Sequence, residues 1–122
     1  MTSDLPVPDL TLAENILSTV SYPQRLRVGK LRPPIGMLRY DVRSLRELYL
    51  HLTPDDRCLP GIDLNALVVW IRDEVKDEEL SRRLLKVLEE SPRYAAACVT
   101  TFDLVGYRLD QARRVAGKEE LS

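Results

Sequence analysis

Apolar positions recur at helical spacing along most of this chain and alternate in one stretch. Leu12, Ile16 and Val20 stand four apart with Leu17 beside them, which predicts a helix over 12–21. Thr11 and Glu14 offer a capping box before it, and Pro23 closes it. Ser44 and Glu47 repeat the box ahead of an inner face of Leu45, Leu48, Tyr49 and Leu52. Thr53-Pro54-Asp55-Asp56 reads as a cap, a first-turn proline and two acids, a short turn that Leu59-Pro60-Gly61 breaks. Asp63 caps the strongest pattern, DLNALVVWIRDEVK, in which Leu64, Leu67, Val68, Ile71 and Val75 keep the 3.6-residue period and Val69 and Trp70 widen the apolar face. Asp77 recaps the chain for EELSRRLLKVLEE, with Leu80, Leu84, Val87 and Leu88 in one stripe. Ser91-Pro92 opens a last helical region that turns Tyr94, Ala97, Cys98, Val105, Leu109, Ala112 and Val115 inward. Thr100, Thr101 and Gly106 predict a break near its middle, and Gly117 a stop.

Residues 24–43 follow another rule. Gly29, Pro33, Pro34 and Gly36 interrupt any helix. Leu26, Val28 and Leu31 alternate with basic residues, and Met37–Val42 is a second such stretch. The two can pair as a small β-ribbon at 26–42, although a lone hairpin is marginal in water. The expected fold is therefore all-α, a compact bundle of five or six short helices with an extended basic N-terminal arm laid over it. The expected division is a flexible tail at 1–10, one helical domain at 11–117 that includes the basic segment 24–43, and a frayed end at 118–122.

A length of 122 residues suits one domain with its own core. No apolar run approaches the ~20 residues that span a bilayer. Met1 to Tyr22 lacks a basic n-region and a long apolar h-region. A cytoplasmic protein without membrane contact is the expectation. Cys58 and Cys98 lie 40 residues apart with no partner at metal-ligand spacing, which reads as two reduced thiols.

The formal net charge is −1, yet its distribution is uneven. Residues 1–23 carry −3, residues 24–46 carry +6 and residues 47–122 carry −4. The basic segment either docks on this protein's own acidic helices or attracts an acidic protein or phosphates. Arg25, Arg27, Lys30, Arg32, Arg39 and Arg43 are its candidate contacts. Tyr40 and Tyr22 flank it and are able to stack on bases. Trp70 has two readings, a core residue beside Leu67 and Ile71 or, if exposed, an interface anchor.

Catalytic arrangements fail by inventory. His51 is the single histidine, so no multi-histidine metal site can form. There is no P-loop, no G-x-G-x-x-G and no G-x-S-x-G. Asp73 and Asp77, four apart, could share a divalent cation. The alternative is that Asp77 caps a helix whose first-turn acids suit the dipole. His51 with Cys58 could form a base and thiol, but no evident third member or oxyanion hole accompanies them. No enzyme, no cofactor and no metal is expected.

SLRELYLHL, a loop, and DLNALVVWIRDEVKDEELSRRLLKV together resemble a family of small, uncharacterised prokaryotic helical proteins. The residues that carry the resemblance are Ser44, Leu45, Arg46, Glu47 and Leu48, then Asp63, Leu64, Trp70, Ile71, Asp73, Asp77, Glu78 and Leu80. The resemblance covers about residues 37–90 and implies a helical fold type and no reaction. Leu64 stands where that family carries an aromatic residue. The functional expectation is a non-catalytic module for protein–protein interaction or assembly, as a homo-oligomer or an adaptor. The alternative is a nucleic-acid-binding accessory protein that uses the arm at 24–46.

Overall fold

The computed structural model describes residues 5–54, 58–91 and 93–121, with side chains as far as Gly117. Asp55, Asp56, Pro92, the first four residues of the expected tail and the side chains of the expected frayed end lie outside the described residues. Helix α1 spans Leu10–Leu17 and a 3-10 turn follows at Tyr22–Gln24. Strands β1 (Leu26–Arg32) and β2 (Gly36–Val42) precede α2 (Leu45–Leu52) and a short β3 (Leu59–Gly61). Helix α3 (Leu64–Trp70) runs into a π turn at Ile71–Val75, then come α4 (Glu78–Glu90) and the long α5 (Tyr94–Leu121).

The all-α expectation is corrected. Among the described residues five α-helices stand with a three-stranded antiparallel sheet of order β2-β1-β3, so the fold is mixed α/β and dominated by helix. The basic segment is no arm laid over a finished bundle, because Leu26, Val28 and Val42 are buried in the core. The third strand supplies what a lone hairpin lacks. Leu59, Pro60 and Gly61 pair with Leu31, Lys30 and Gly29. Between β1 and β2 the chain turns through Pro33–Pro34, a cis bond, to Gly36 at φ 108, a left-handed backbone that an L side chain rarely adopts.

The register gives the sheet two unlike faces. Leu26, Val28, Tyr40 and Val42 share one face, which packs on the helices. His51 of α2 fixes that packing. Its Nε2 lies 2.8 Å from the Gly29 carbonyl oxygen, an acceptor, so Nε2 carries the proton. Its ring meets Tyr40 edge-on at 5.5 Å. Burial, with Lys30 nearby, holds the imidazole pKa below its ordinary value despite the Gly29 bond.

Three caps stand where the sequence puts them. The Ser44 hydroxyl accepts from the Glu47 amide, although the Glu47 carboxylate returns to the Arg43 amide, one residue before the cap. Asp63 accepts from Asn65 and Ala66, and Asp77 from Leu80. Helix α1 differs. Asp9 caps it in place of Thr11, which turns Ala13 and Ile16 fully inward, and it stops at Leu17. The Val20 amide is taken by the Arg43 carbonyl at 2.7 Å, so the chain is drawn out of the helix to run beside the end of β2.

Helix α5 shows no break and continues through Gly117. Thr100 bonds back to the Ala96 carbonyl and Thr101 is buried. Gly106 serves close packing. The Tyr49 ring lies where its side chain would be, 2.6 Å from a built Cβ, and stacks on Phe102 at 4.6 Å. Two turns of α5 also hold the main polar feature of the core. Arg108, fully buried, donates to both carboxylate oxygens of Asp77 at 2.8 and 3.0 Å, and to the Pro6 carbonyl and Gln111 Oε1 at 2.7 and 2.9 Å. Gln111 donates in turn to the Leu5 carbonyl at 3.0 Å. The segment expected as a loose tail is thus tied to α5 from Leu5 onward, with the Leu5 side chain buried.

Candidate interaction surface on the sheet

The other face of the sheet looks outward and is built in cross-strand rows. Met37, Leu31 and Leu59 form the first, with exposures of 56%, 37% and 51%. Ile35 at the hairpin turn is also exposed. The next row is Arg39, Gly29 and Gly61, and the third is Asp41 with Arg27. Two glycines side by side leave a bare floor, and the Met37 thioether lies over both. A Cβ built on Gly29 would meet its sulfur at 2.8 Å, and one on Gly61 its methyl at 2.9 Å. Beside this floor an open groove of about 540 Å³ is lined by Arg25, Arg27, Met37, Arg39, Asp41 and Asp63 among others.

The candidate residues divide by what already holds them. The Arg25 guanidinium sits 3.8 Å over the Tyr22 ring, donates to the Tyr22 carbonyl and pairs with Asp41 at 3.1 Å. Arg43 donates to the Val20 carbonyl at 3.0 Å. These two arginines fasten the sheet's end to the chain before it. Trp70 is 5% exposed and its indole N–H donates to the Gln24 carbonyl at 2.8 Å, so the interface-anchor reading is corrected to a core residue. Lys30 lies on the helix-facing side, half-buried, and Tyr40 stands there against His51. Arg27, Arg32 and Arg39 remain exposed, and among the described residues their side chains make no ion pair or hydrogen bond. The sheet therefore gathers Arg27, Arg39 and Asp41 on one outward face and does not bring Arg43 or Trp70 to it.

The paired-carboxylate alternative does not assemble. Asp77 is consumed by Arg108, while Asp73 pairs with Arg72 at 2.8 Å on the surface, where the guanidinium's hydrogen bond holds the Asp73 carboxyl below its ordinary range. No group of three metal-ligating side chains gathers among the described residues. Cys98 is buried, which pushes its thiol up and away from nucleophilic use. Tyr94 is committed to structure. Its hydroxyl accepts from the Ile62 amide at 2.8 Å and donates to the Pro60 carbonyl at 2.7 Å, pinning β3 to the start of α5. Burial pushes this phenol up to about 12, against the Ile62 bond.

Sequence reasoning missed the apolar row. Leu31 and Met37 carry a signal, since their alternation places them with the basic residues on one face. Leu59 carries none until β3 is known. Compared with known proteins, the chain matches no family model, no curated protein and no solved structure. No helix of the described residues is long and apolar enough to cross a membrane.

Proposed function

We propose that this chain is a non-catalytic interaction module whose docking surface is the outward face of the sheet. The observation that carries the reading is the exposed row Met37–Leu31–Leu59, set beside Arg27 and Arg39, which no side chain among the described residues neutralises. Apolar side chains clustered with arginine are the composition of the fully buried centre of protein interfaces. A protein partner also suits the mixed charge of the groove. Asp41 and Asp63 line it with the arginines, and acids there weaken the pull on a phosphate backbone. The expected partner presents an apolar side chain to the row and carboxylates to Arg27 and Arg39. The nucleic-acid alternative would have to rest on Arg27, Arg32 and Arg39 alone.

The test compares the wild type with a Leu31→Glu/Leu59→Glu chain at equal thermal stability. Both chains are tagged, and self-association and retained proteins are quantified side by side. The reading expects one defined partner, a second copy or another protein, whose retention drops at least about tenfold in the variant. Equal retention by both chains overturns it. So does copurifying nucleic acid whose binding has a steep salt dependence that Arg27→Ala/Arg32→Ala/Arg39→Ala flattens.

A further inference from the structure

Strand β2 is an edge of the sheet. Among the described residues it pairs with β1 and with no other strand. Just past its end, the Arg43 N–H goes to Glu47 and the Arg43 carbonyl to Val20, both on the side away from β1. Backbone groups of a strand alternate in direction, so those of Asp41, Arg39 and Met37 point the same way as those of Arg43. Among the described residues no hydrogen bond reaches them. The outward backbone groups of Met37, Arg39 and Asp41 leave an open edge that is a template for another strand.

We propose that a second copy of this chain pairs with that edge, β2 against β2 in antiparallel register centred on Tyr40. The inference rests on the reading of the sheet as the interaction surface and names the partner. The choice of a second copy comes from charge complementarity along the strand itself. With Tyr40 on the two-fold axis, Arg39 faces the partner's Asp41 and Asp41 faces the partner's Arg39. Opposite charges directly across an antiparallel pair are stabilising, and like charges are not. Centring on Arg39 or on Asp41 sets a charge against itself. Shifting by one residue pairs an outward side chain with an inward one and misaligns the free backbone groups. The chosen register lets Arg39 and Asp41 exchange both backbone hydrogen bonds with their counterparts. Asp41 has a second carboxylate oxygen to offer beyond the one that Arg25 holds. Val20 already occupies the edge opposite Arg43, where the partner's Met37 would fall, so the new ladder is confined to residues 38–42 of each copy. The product is one six-stranded sheet with both apolar rows on the same side, closed by two-fold symmetry.

Sedimentation velocity over a concentration series tests this, with three variants. The wild type should dimerise. Arg39→Glu, which puts a second carboxylate opposite the partner's Asp41, should weaken the dimer at least about tenfold, and Asp41→Arg should do the same. The exchange Arg39→Asp/Asp41→Arg should restore it. Because Asp41→Arg also removes a partner from Arg25, cross-linking supplies an independent reading. In a Cys58→Ser background, Tyr40→Cys should form an inter-chain disulfide on oxidation, since facing Cα atoms of an antiparallel pair lie about 4.5–5.5 Å apart. Leu38→Cys in that background should not, because its two copies would stand about 14 Å apart along the strand. A monomeric wild type at all concentrations overturns the inference while the outward-face reading still stands on its own variant. A dimer that Leu31→Glu/Leu59→Glu dissolves but Arg39→Glu leaves intact also overturns it and keeps that reading. A dimer indifferent to both sets of changes overturns the inference and leaves the outward-face reading to its own retention test.

Discussion

Replacing Arg108 with Met removes the hub of the buried polar network and leaves most of its packing volume filled. Four acceptor atoms each lose one donor: both Asp77 oxygens, the Pro6 carbonyl and Gln111 Oε1. Asp77 would keep only the Leu80 amide as a partner while its side chain stays fully buried. Removing one member of a buried ion pair costs about 3–5 kcal/mol, a large part of the ~5–15 kcal/mol that holds an ordinary domain together. Urea unfolding followed by the fluorescence of Trp70 reads the loss. At a slope of roughly 1.5 kcal/mol per molar, the midpoint should fall by about 2–3 M. The double change Asp77→Asn/Arg108→Met removes the orphaned charge and keeps a side-chain oxygen to cap α4. It should recover about 1–3 kcal/mol over the single variant. A loss below about 1 kcal/mol for Arg108→Met, or no recovery in the double variant, would refute a dry, fully paired network.

Three further outcomes follow from the same geometry. Tyr94→Phe leaves the Ile62 amide and Pro60 carbonyl without a partner and should cost about 1–3 kcal/mol, with the largest rise in hydrogen exchange at residues 59–62. The raised phenol binds its proton in the folded state after the unfolded chain has lost it, so stability should fall from pH 10 towards 12 in the wild type and less in Tyr94→Phe. His51 has the opposite sign: its lowered value means stability is present above 6.5 and is lost as pH drops through the folded value, which an acid titration of the melting temperature checks. Gly106→Ala drives a methyl group into the Tyr49 ring and should cost about 1–3 kcal/mol, whereas Gly117→Ala, with open space around it, should not destabilise.

The helices were legible because their information is local. Ser44 and Asp63 sit one residue before an apolar period and Asp77 three residues before one, and each accepts an amide that a helix start leaves free. The sheet was not, because its evidence is spread along the chain. Strand β1 has Gly29 at its centre, and β3 is Leu59–Gly61 with a proline in it, a breaker by every local rule. What makes β3 a strand is pairing with residues some thirty positions earlier and a tyrosine some thirty positions later. The same separation hides Arg108 and Asp77 from each other, and it hides from the tail that Leu5 and Pro6 carry acceptors for α5. Of the candidate surface, the basic residues were visible as a charge excess. Which of them remain free was decided by Tyr22, Asp41 and Val20, contacts that spacing does not show.

Hydrogen–deuterium exchange of the full chain at low and high protein concentration is the sharpest check on the proposed assembly through the sheet. The account predicts that amides in 36–42 gain protection as concentration rises, with Arg39 and Asp41 foremost, while the outer helical surface is unchanged. Protection that leaves 36–42 untouched, or that appears on the helices instead, would contradict it.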